Sequence, residues 1–343
     1  MRRCLLALGL AASILPASAR AASDAVLPLR VVAAGNTLNA FPLLLTHQMQ
    51  FFRDAGLDVS IVNFNGAALA LTAIMNGNAD VVASVFDRSV DFAAKKRPLQ
   101  AIFLMAQLPG AMLAVSPRAG DSIKSLSDLA GKTVGASAPG ASSDFLVKYL
   151  LKKAGLDPSK VPVVGVGIGP SSIAALEQGG VSAAVLYDPA ATAMVSRHPN
   201  LVVLSDNRIL AEARKTFGGD YPGPAILAMQ SWIASHPEEC RRLALALERG
   251  LQWIHAHTPE EIAAQAAQNY AGIDPAILLE AIKHTLPAWA GNGMVDPKGA
   301  QAAVDVLSAF QPDVAAAKVD PNQIYTNVFV RQALRELRLP GAD

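Results

Sequence analysis

The hydrophobic pattern of this chain changes period repeatedly, and that alternation most narrows the folds open to it. "LRVVAAG" (29–35) is apolar, rich in β-formers and ends in glycine. "FPLLLTHQMQFFRDAG" (41–56) has helical spacing and a glycine stop. "LDVSIVNF" (57–64) alternates like a strand, "AALALTAIMNG" (67–77) reads as a helix ended by Gly77, and "ADVVASV" (79–85) reads as a buried strand. A helix in "RSVDFAAKKR" then leads to the strand "LQAIFLMAQ" (99–107). Strands separated by helices of about ten residues specify a mostly parallel sheet covered on both faces.

The pattern then restarts. Ser125 to Asp128 caps a short helix, Lys132 to Ala136 is a strand, and 143–154 is an amphipathic helix. "VPVVGVG" (161–167), "PSSIAALEQGG" (170–180) and "VSAAVLY" (181–187) continue as strand, helix and strand. The stretches 70–84 and 172–186 echo each other as helix, glycine turn and apolar strand. The expected class is α/β, with two lobes, each a mostly parallel sheet flanked by helices. After Pro224 a strand in "AILAMQ" gives way to a helical C-terminal part. Ser235 to Glu238 and Thr258 to Glu261 read as capping boxes, with Pro237 and Pro259 at first helical positions. Asp274, Asp296 and Asp320, each before a proline, mark three more helix starts. No low-complexity linker intervenes, so the chain is expected to cross between lobes near 114–118 and 219–225. Lobe one then takes 22–116 and 223–343, and lobe two takes 117–222.

The N-terminus has its own grammar. Arg2 and Arg3 precede an apolar run from Leu5 to Leu15, and Ala19-Arg20-Ala21 follows as an A-x-A cleavage signal. That run of eleven is too short for a span, which needs roughly 20 residues. Residues 1–21 are therefore read as a signal peptide, cut after Ala21 or Ala22, which predicts an exported protein. Cys4 precedes the apolar run, where a lipid-anchored cysteine would follow it. Cleavage leaves Cys240 alone, so no intramolecular disulfide is expected.

Several chemistries lack their signatures. The net charge of +1 shows no basic stripe, which argues against nucleic acid as a partner. "GVGIGPSS" (165–172) has its third glycine misplaced for a dinucleotide fingerprint, and no Gly-Lys-Ser/Thr marks a nucleotide loop. The six histidines form no His-x-x-x-His or Cys/His cluster, so neither a metal nor a cofactor is expected. No Gly-x-Ser-x-Gly elbow appears. Binding remains, and open α/β sheets bind at the carboxyl ends of their strands. The candidate ligand residues on those loops are Asn36, Thr37, Phe41, Phe64, Gly66, Ala67, Ser84, Val85, Phe86 and Asp87 in the first unit. The second unit offers Gly140, Ala141, Ser142, Ser143, Tyr187 and Asp188. Small residues allow backbone approach, Phe64, Phe86 and Tyr187 supply apolar walls, and Asp87 offers a carboxylate to a donor. Each has a plainer alternative: Asn36 as a turn, Asp87 as a helix cap, Phe41 and Phe64 as core.

Four stretches carry a family resemblance: "GAALALTAIMNGNADVVAS", "SLSDLAGKTVGASAPGASSDFLVKYLLKKAGLDPSKV", "YDPAATAMV" and "VDPNQIYTNVFV". In their order and spacing the chain resembles the solute-binding proteins of ABC importers that serve nitrate, alkanesulfonates, taurine and thiamine-precursor pyrimidines. The resemblance implies a periplasmic-binding-protein type II fold, a ligand held between closing lobes, and an inner-membrane ABC permease as partner. A monomer without catalysis is expected, with a sulfonate- or taurine-like anion as ligand. It also implies that the small loop at Gly140, Ala141 and Ser142 is a wall of the site, its backbone N–H groups facing an anionic head. One departure is charge: the cleft loops hold no Lys or Arg except Arg88 at their edge. The alternative is an exported enzyme or sensory receptor on the same fold. Relatives that make the thiamine pyrimidine use a cysteine cluster that this chain lacks.

Overall fold

The computed structural model describes residues 25–64 and 66–342. The expected signal peptide, 1–21, lies outside the described residues. The strands are β1 (Leu27–Ala33), β2 (Leu57–Asn63), β3 (Val81–Val85), β4 (Leu99–Leu104), β5 (Ala111–Val115), β6 (Val134–Ala136), β7 (Val163–Gly165), β8 (Ala183–Tyr187), β9 (Val203–Asp206) and β10 (Pro224–Met229). They form two five-stranded sheets, ordered β2-β1-β3-β10-β4 and β7-β6-β8-β5-β9.

The orders match position by position, which is the architectural form of the sequence echo. β1 pairs in parallel with β2 from Leu27 opposite Leu57 to Ala33 opposite Asn63. β6 pairs in parallel with β7 and β8. In each sheet one strand runs against the rest: β10 is antiparallel to β3 and β4, and β5 to β8 and β9. These reversed strands follow the two crossings, since a chain entering from the other lobe arrives at the opposite end of the sheet.

β5 also moves one boundary. It was expected within the first segment, ahead of a crossing near 114–118, yet it is paired in the second sheet. The first crossing therefore falls between Leu104 and Ala111. The second falls between Phe217 and Pro224. The two crossings touch: Gly223 N–H donates to Ala106 O at 3.0 Å.

The strands are apolar on both faces because helices cover both, and β3, β5 and β8 are nearly continuous runs of buried residues. The 20-residue helix Pro237–Ala256 and the helix Val328–Leu337 pack beside the first sheet. The Thr258 capping box forms, Thr258 N–H donating to Glu261 at 2.8 Å and Glu261 N–H to Thr258 Oγ1 at 3.3 Å. Asp274, Asp296 and Asp320 cap as expected. Ser235 does not. It ends the helix Gln230–Ser235, its hydroxyl donates back to Ser231 O and Trp232 O, and His236 becomes the N-cap of the next helix. The preceding helix claimed its hydroxyl first.

Candidate functional site between the lobes

The carboxyl ends of β1, β3, β6 and β8 meet across the gap between the sheets. There they enclose a cavity of about 50 Å³. Lobe one contributes Ala34, Gly35, Thr37, Ala40, Ala67, Ala83, Ser84, Val85 and Pro224. Lobe two contributes Ser137, Ala141, Ser142, Ser143, Ile168 and Tyr187. Aliphatic carbon and hydroxyl groups thus dominate, and no Lys or Arg lines it.

Ala141 is the N-cap of the helix Ser142–Lys153. Its backbone is extended, φ −82° and ψ 167°, and Ala141, Ser142 and Ser143 all line the cavity, so the helix starts at the gap, where its first N–H groups have no intrahelical acceptor. The Ser143 hydroxyl turns inward, accepting from Ser137 N–H at 2.9 Å. The Gly140 N–H is already spent on Asp144, at 2.7 Å, and the Gly140 carbonyl accepts from Arg88 Nη1 at 2.7 Å.

Asp87 stands behind the cavity rather than in it, only 2% exposed. Ser142 Oγ donates to its Oδ1 at 2.5 Å, and Tyr221 OH to its Oδ2 at 3.3 Å. Burial pushes its carboxyl up to about 6, against the pull of Ser142, Arg88 and Tyr221. Burial and the Asp87 charge raise both Tyr187 and Tyr221, which keeps them protonated donors. Arg88, the cation at the loop edge, does not face the cavity. It pairs with Asp91 at 3.0 Å and lies over the Phe145 ring, 5.0 Å from its centre.

The Asp87 carboxyl titrates near 6 in the native state against an ordinary 3.8 in the unfolded chain. The native state therefore binds more protons between those values, and stability falls as pH rises through them. Removing that charge in Asp87→Asn should raise stability relative to the parent by about 2 kcal/mol more at pH 7.5 than at pH 4.5. Urea melts at the two pH values check this. A difference that does not change with pH would mean the carboxylate is not desolvated.

Of the residues expected at the site, Thr37, Ala67, Ser84, Val85, Ala141, Ser142, Ser143 and Tyr187 line the small cavity. Asn36, Phe64 and Asp188, again with Tyr187, line an adjoining one of about 380 Å³. Phe41 and Phe86 are fully buried, which corrects the reading of Phe86 as a cavity wall. Phe41 packs with Tyr270 and Trp289, ring centres 6.2 and 6.0 Å apart. Gly66 caps the helix Ala67–Met75 and, like Gly140, stands outside the lining. Asp188 accepts from Thr192 and pairs with Arg208 at 3.2 Å. Sequence reading did not single out Ser137, Ile168, Tyr221 or Pro224. Ser137 and Ile168 lie in the loops that follow β6 and β7, and Tyr221 and Pro224 at the second crossing, where any chain between lobes must border the gap.

Comparison with known proteins agrees with this architecture. The family model described as "NMT1/THI5 like" matches residues 37–262, and the chain belongs to that family. A solved protein from Bordetella bronchiseptica RB50 is 32% identical, with 91% of this chain and 98% of that one covered and a TM-score of 0.86. The periplasmic nitrate-binding protein NrtA from Synechocystis PCC 6803 is 14% identical, with 92% and 90% covered and a TM-score of 0.70. The alkanesulfonate-binding protein SsuA from Xanthomonas axonopodis pv. citri, solved with MOPS, is 17% identical, with 90% and 98% covered and a TM-score of 0.66. The fold is that of the periplasmic binding proteins. Among the described residues no helix is long and apolar enough to cross a membrane, and no group of three His, Cys, Asp or Glu could hold a metal ion. Cys240 is buried, and burial pushes its thiol up to about 12, far from a reactive thiolate.

Proposed function

We propose that this protein is the exported solute-binding component of an ABC importer. It captures a small organic solute between its lobes and delivers it to an inner-membrane permease, as a monomer and without catalysis. Export would remove residues 1–21. The observation that carries the reading is the cavity at the facing strand ends, lined from both lobes and bridged by Ser142 to Asp87 and Arg88 to Gly140. Bonds of this kind form only when the lobes meet, so a ligand placed there is linked to closure. Fold relatives that bind alkanesulfonate and nitrate support an oxyanion as the head group. Serine hydroxyls and the start of the helix Ser142–Lys153 would hold it.

A second reading, a neutral head group, is favoured by the uncharged lining and by the Asp87 carboxylate behind Ser142. Titration calorimetry separates the two. A bound anion favours the neutral form of Asp87, whose carboxyl already titrates near 6. Binding then takes up a proton, and a sulfonate should bind about tenfold more tightly at pH 5.5 than at pH 7.5. A neutral solute should bind with the same affinity at both. If alkanesulfonates, nitrate, carboxylates, aminopyrimidines and their neutral analogues all fail to bind at either pH, the solute-binding reading fails.

A further inference from the structure

Some contacts between the lobes lie outside both cavities. Arg88 belongs to the lobe-one helix Asp87–Ala94, and its side chain is only 8% exposed. Its Nη1 donates to Gly140 O of lobe two at 2.7 Å. Its guanidinium lies over the Phe145 ring of lobe two, 5.0 Å from the centre. On its own lobe it pairs with Asp91 at 3.0 Å and lies 5.7 Å from the centre of the Phe92 ring. Arg88 is thus fixed at home by a carboxylate, and it reaches the other lobe with a hydrogen bond and a cation–π contact.

Phe145 answers it from the lobe-two helix Ser142–Lys153. The residue is 6% exposed. Its second ring contact is Phe310, with centres 5.9 Å apart. Phe310 follows the helix Pro297–Ser308, which packs on Asp87–Ala94 of lobe one. Val306 of that helix borders the same gap as Phe145. A lobe-two ring is therefore seated between a guanidinium and a phenyl ring that both belong to lobe one. Neither Arg88 nor Phe145 lines either cavity. Parting the lobes breaks the Arg88 bond and returns the ring to water, and no solute is needed to make either contact.

We infer that Arg88 and Phe145 form a clasp that holds the lobes together before any solute arrives. The solute-free protein then rests closed, and solute entry waits on the opening of the clasp. The clasp follows from the two-lobed fold; only its role in gating entry rests on the solute-binding reading above. Both are positioning residues, since they act on the lobes and touch no solute.

The test is small-angle X-ray scattering from the full protein, freed of any co-purified solute by unfolding in guanidinium, dialysis and refolding. The parent should scatter as the closed structure does, with a radius of gyration of about 20 Å for a compact chain of this length. Phe145→Ala takes away the ring, and Arg88→Met takes away the charge and the donor while keeping a long side chain. Asp91 stays paired in the second variant, because Lys95 also holds it at 2.8 Å. Each variant should raise the radius by roughly 1 Å as the lobes part. Leu129→Ala is the control. It empties a fully buried position in lobe two's own short helix Leu126–Leu129, and should lower the melting temperature without changing the radius. An increase confined to the clasp variants supports the inference. A parent already more open than the structure, clasp variants no larger than the parent, or an equal increase in Leu129→Ala overturns it. None of these outcomes touches the solute-binding reading, which calorimetry tests separately.

Discussion

Gly223→Ala should lower the unfolding free energy by about 3 kcal/mol, and nothing at the ligand site would be responsible. A Cβ at this position would lie 1.9 Å from Leu108 O and 3.0 Å from Ala106 O. Both are carbonyls of the first crossing, and backbone cannot rotate away as a side chain can. Gly223 is held there from two sides, donating to Ala106 O and accepting from Phe86 N–H at 3.0 Å. The new methyl must push the two crossings apart and strain those bonds, and overpacking of this kind costs about 1–3 kcal/mol. Gly219→Ala is the matched control, since a Cβ there meets nothing within 4 Å. Urea midpoints should separate the two variants clearly. Equal midpoints would show that the crossings tolerate separation and that the close approach is not a constraint.

The second large effect falls on binding. Ser142 is the first residue of its helix, where proline's fixed φ and missing N–H are tolerated. Ala141, at φ −82° and ψ 167°, already has the extended backbone that a following proline demands. Ser142→Pro should therefore fold, but it removes one N–H from the gap and the hydroxyl that serves Asp87. Ser142→Ala removes only the hydroxyl. Both should lose about 2 kcal/mol of stability at pH 7.5, because both deprive a buried carboxylate of a donor. Their affinities should differ. For an anionic head, proline should cost on the order of 100-fold and alanine markedly less, the gap being the contribution of the N–H. Calorimetry on the two variants reads this directly. A proline variant that binds as tightly as the parent would remove this loop from the site.

How much of the site could be read beforehand depended on the range of the interaction. The loops at the strand ends were legible because glycine stops, caps and changes of period act within a few residues. Thr37, Ser84 and Ser142 stand on the cavity because they end strands or open helices, and those local events fix which end of a sheet they occupy. The same rule misplaced Phe86, which follows a strand yet turns into the core. Ser235 failed for a related reason, since a capping box one residue away from a competing helix end cannot be told apart by spacing. The first crossing could not be placed closely, because no linker or shift in composition marks it and only strand pairing shows that β5 belongs to the second sheet.

What the sequence determined by itself was the succession of strands and helices, their repetition in two units, and the ends at which a ligand could enter. These follow from periodicity and capping, which are properties of neighbouring residues. Only the tertiary structure decided which loops meet. Asp87 and Ser142 are 55 positions apart, Asp87 and Tyr221 are 134, and Asn36 and Asn269 are 233. Contacts at such separations are set by how two sheets and a helical C-terminal part pack together, and no local pattern encodes that packing. The same packing buried Asp87, turned Arg88 away from the cavity, and left a small cavity and a larger one side by side between the lobes.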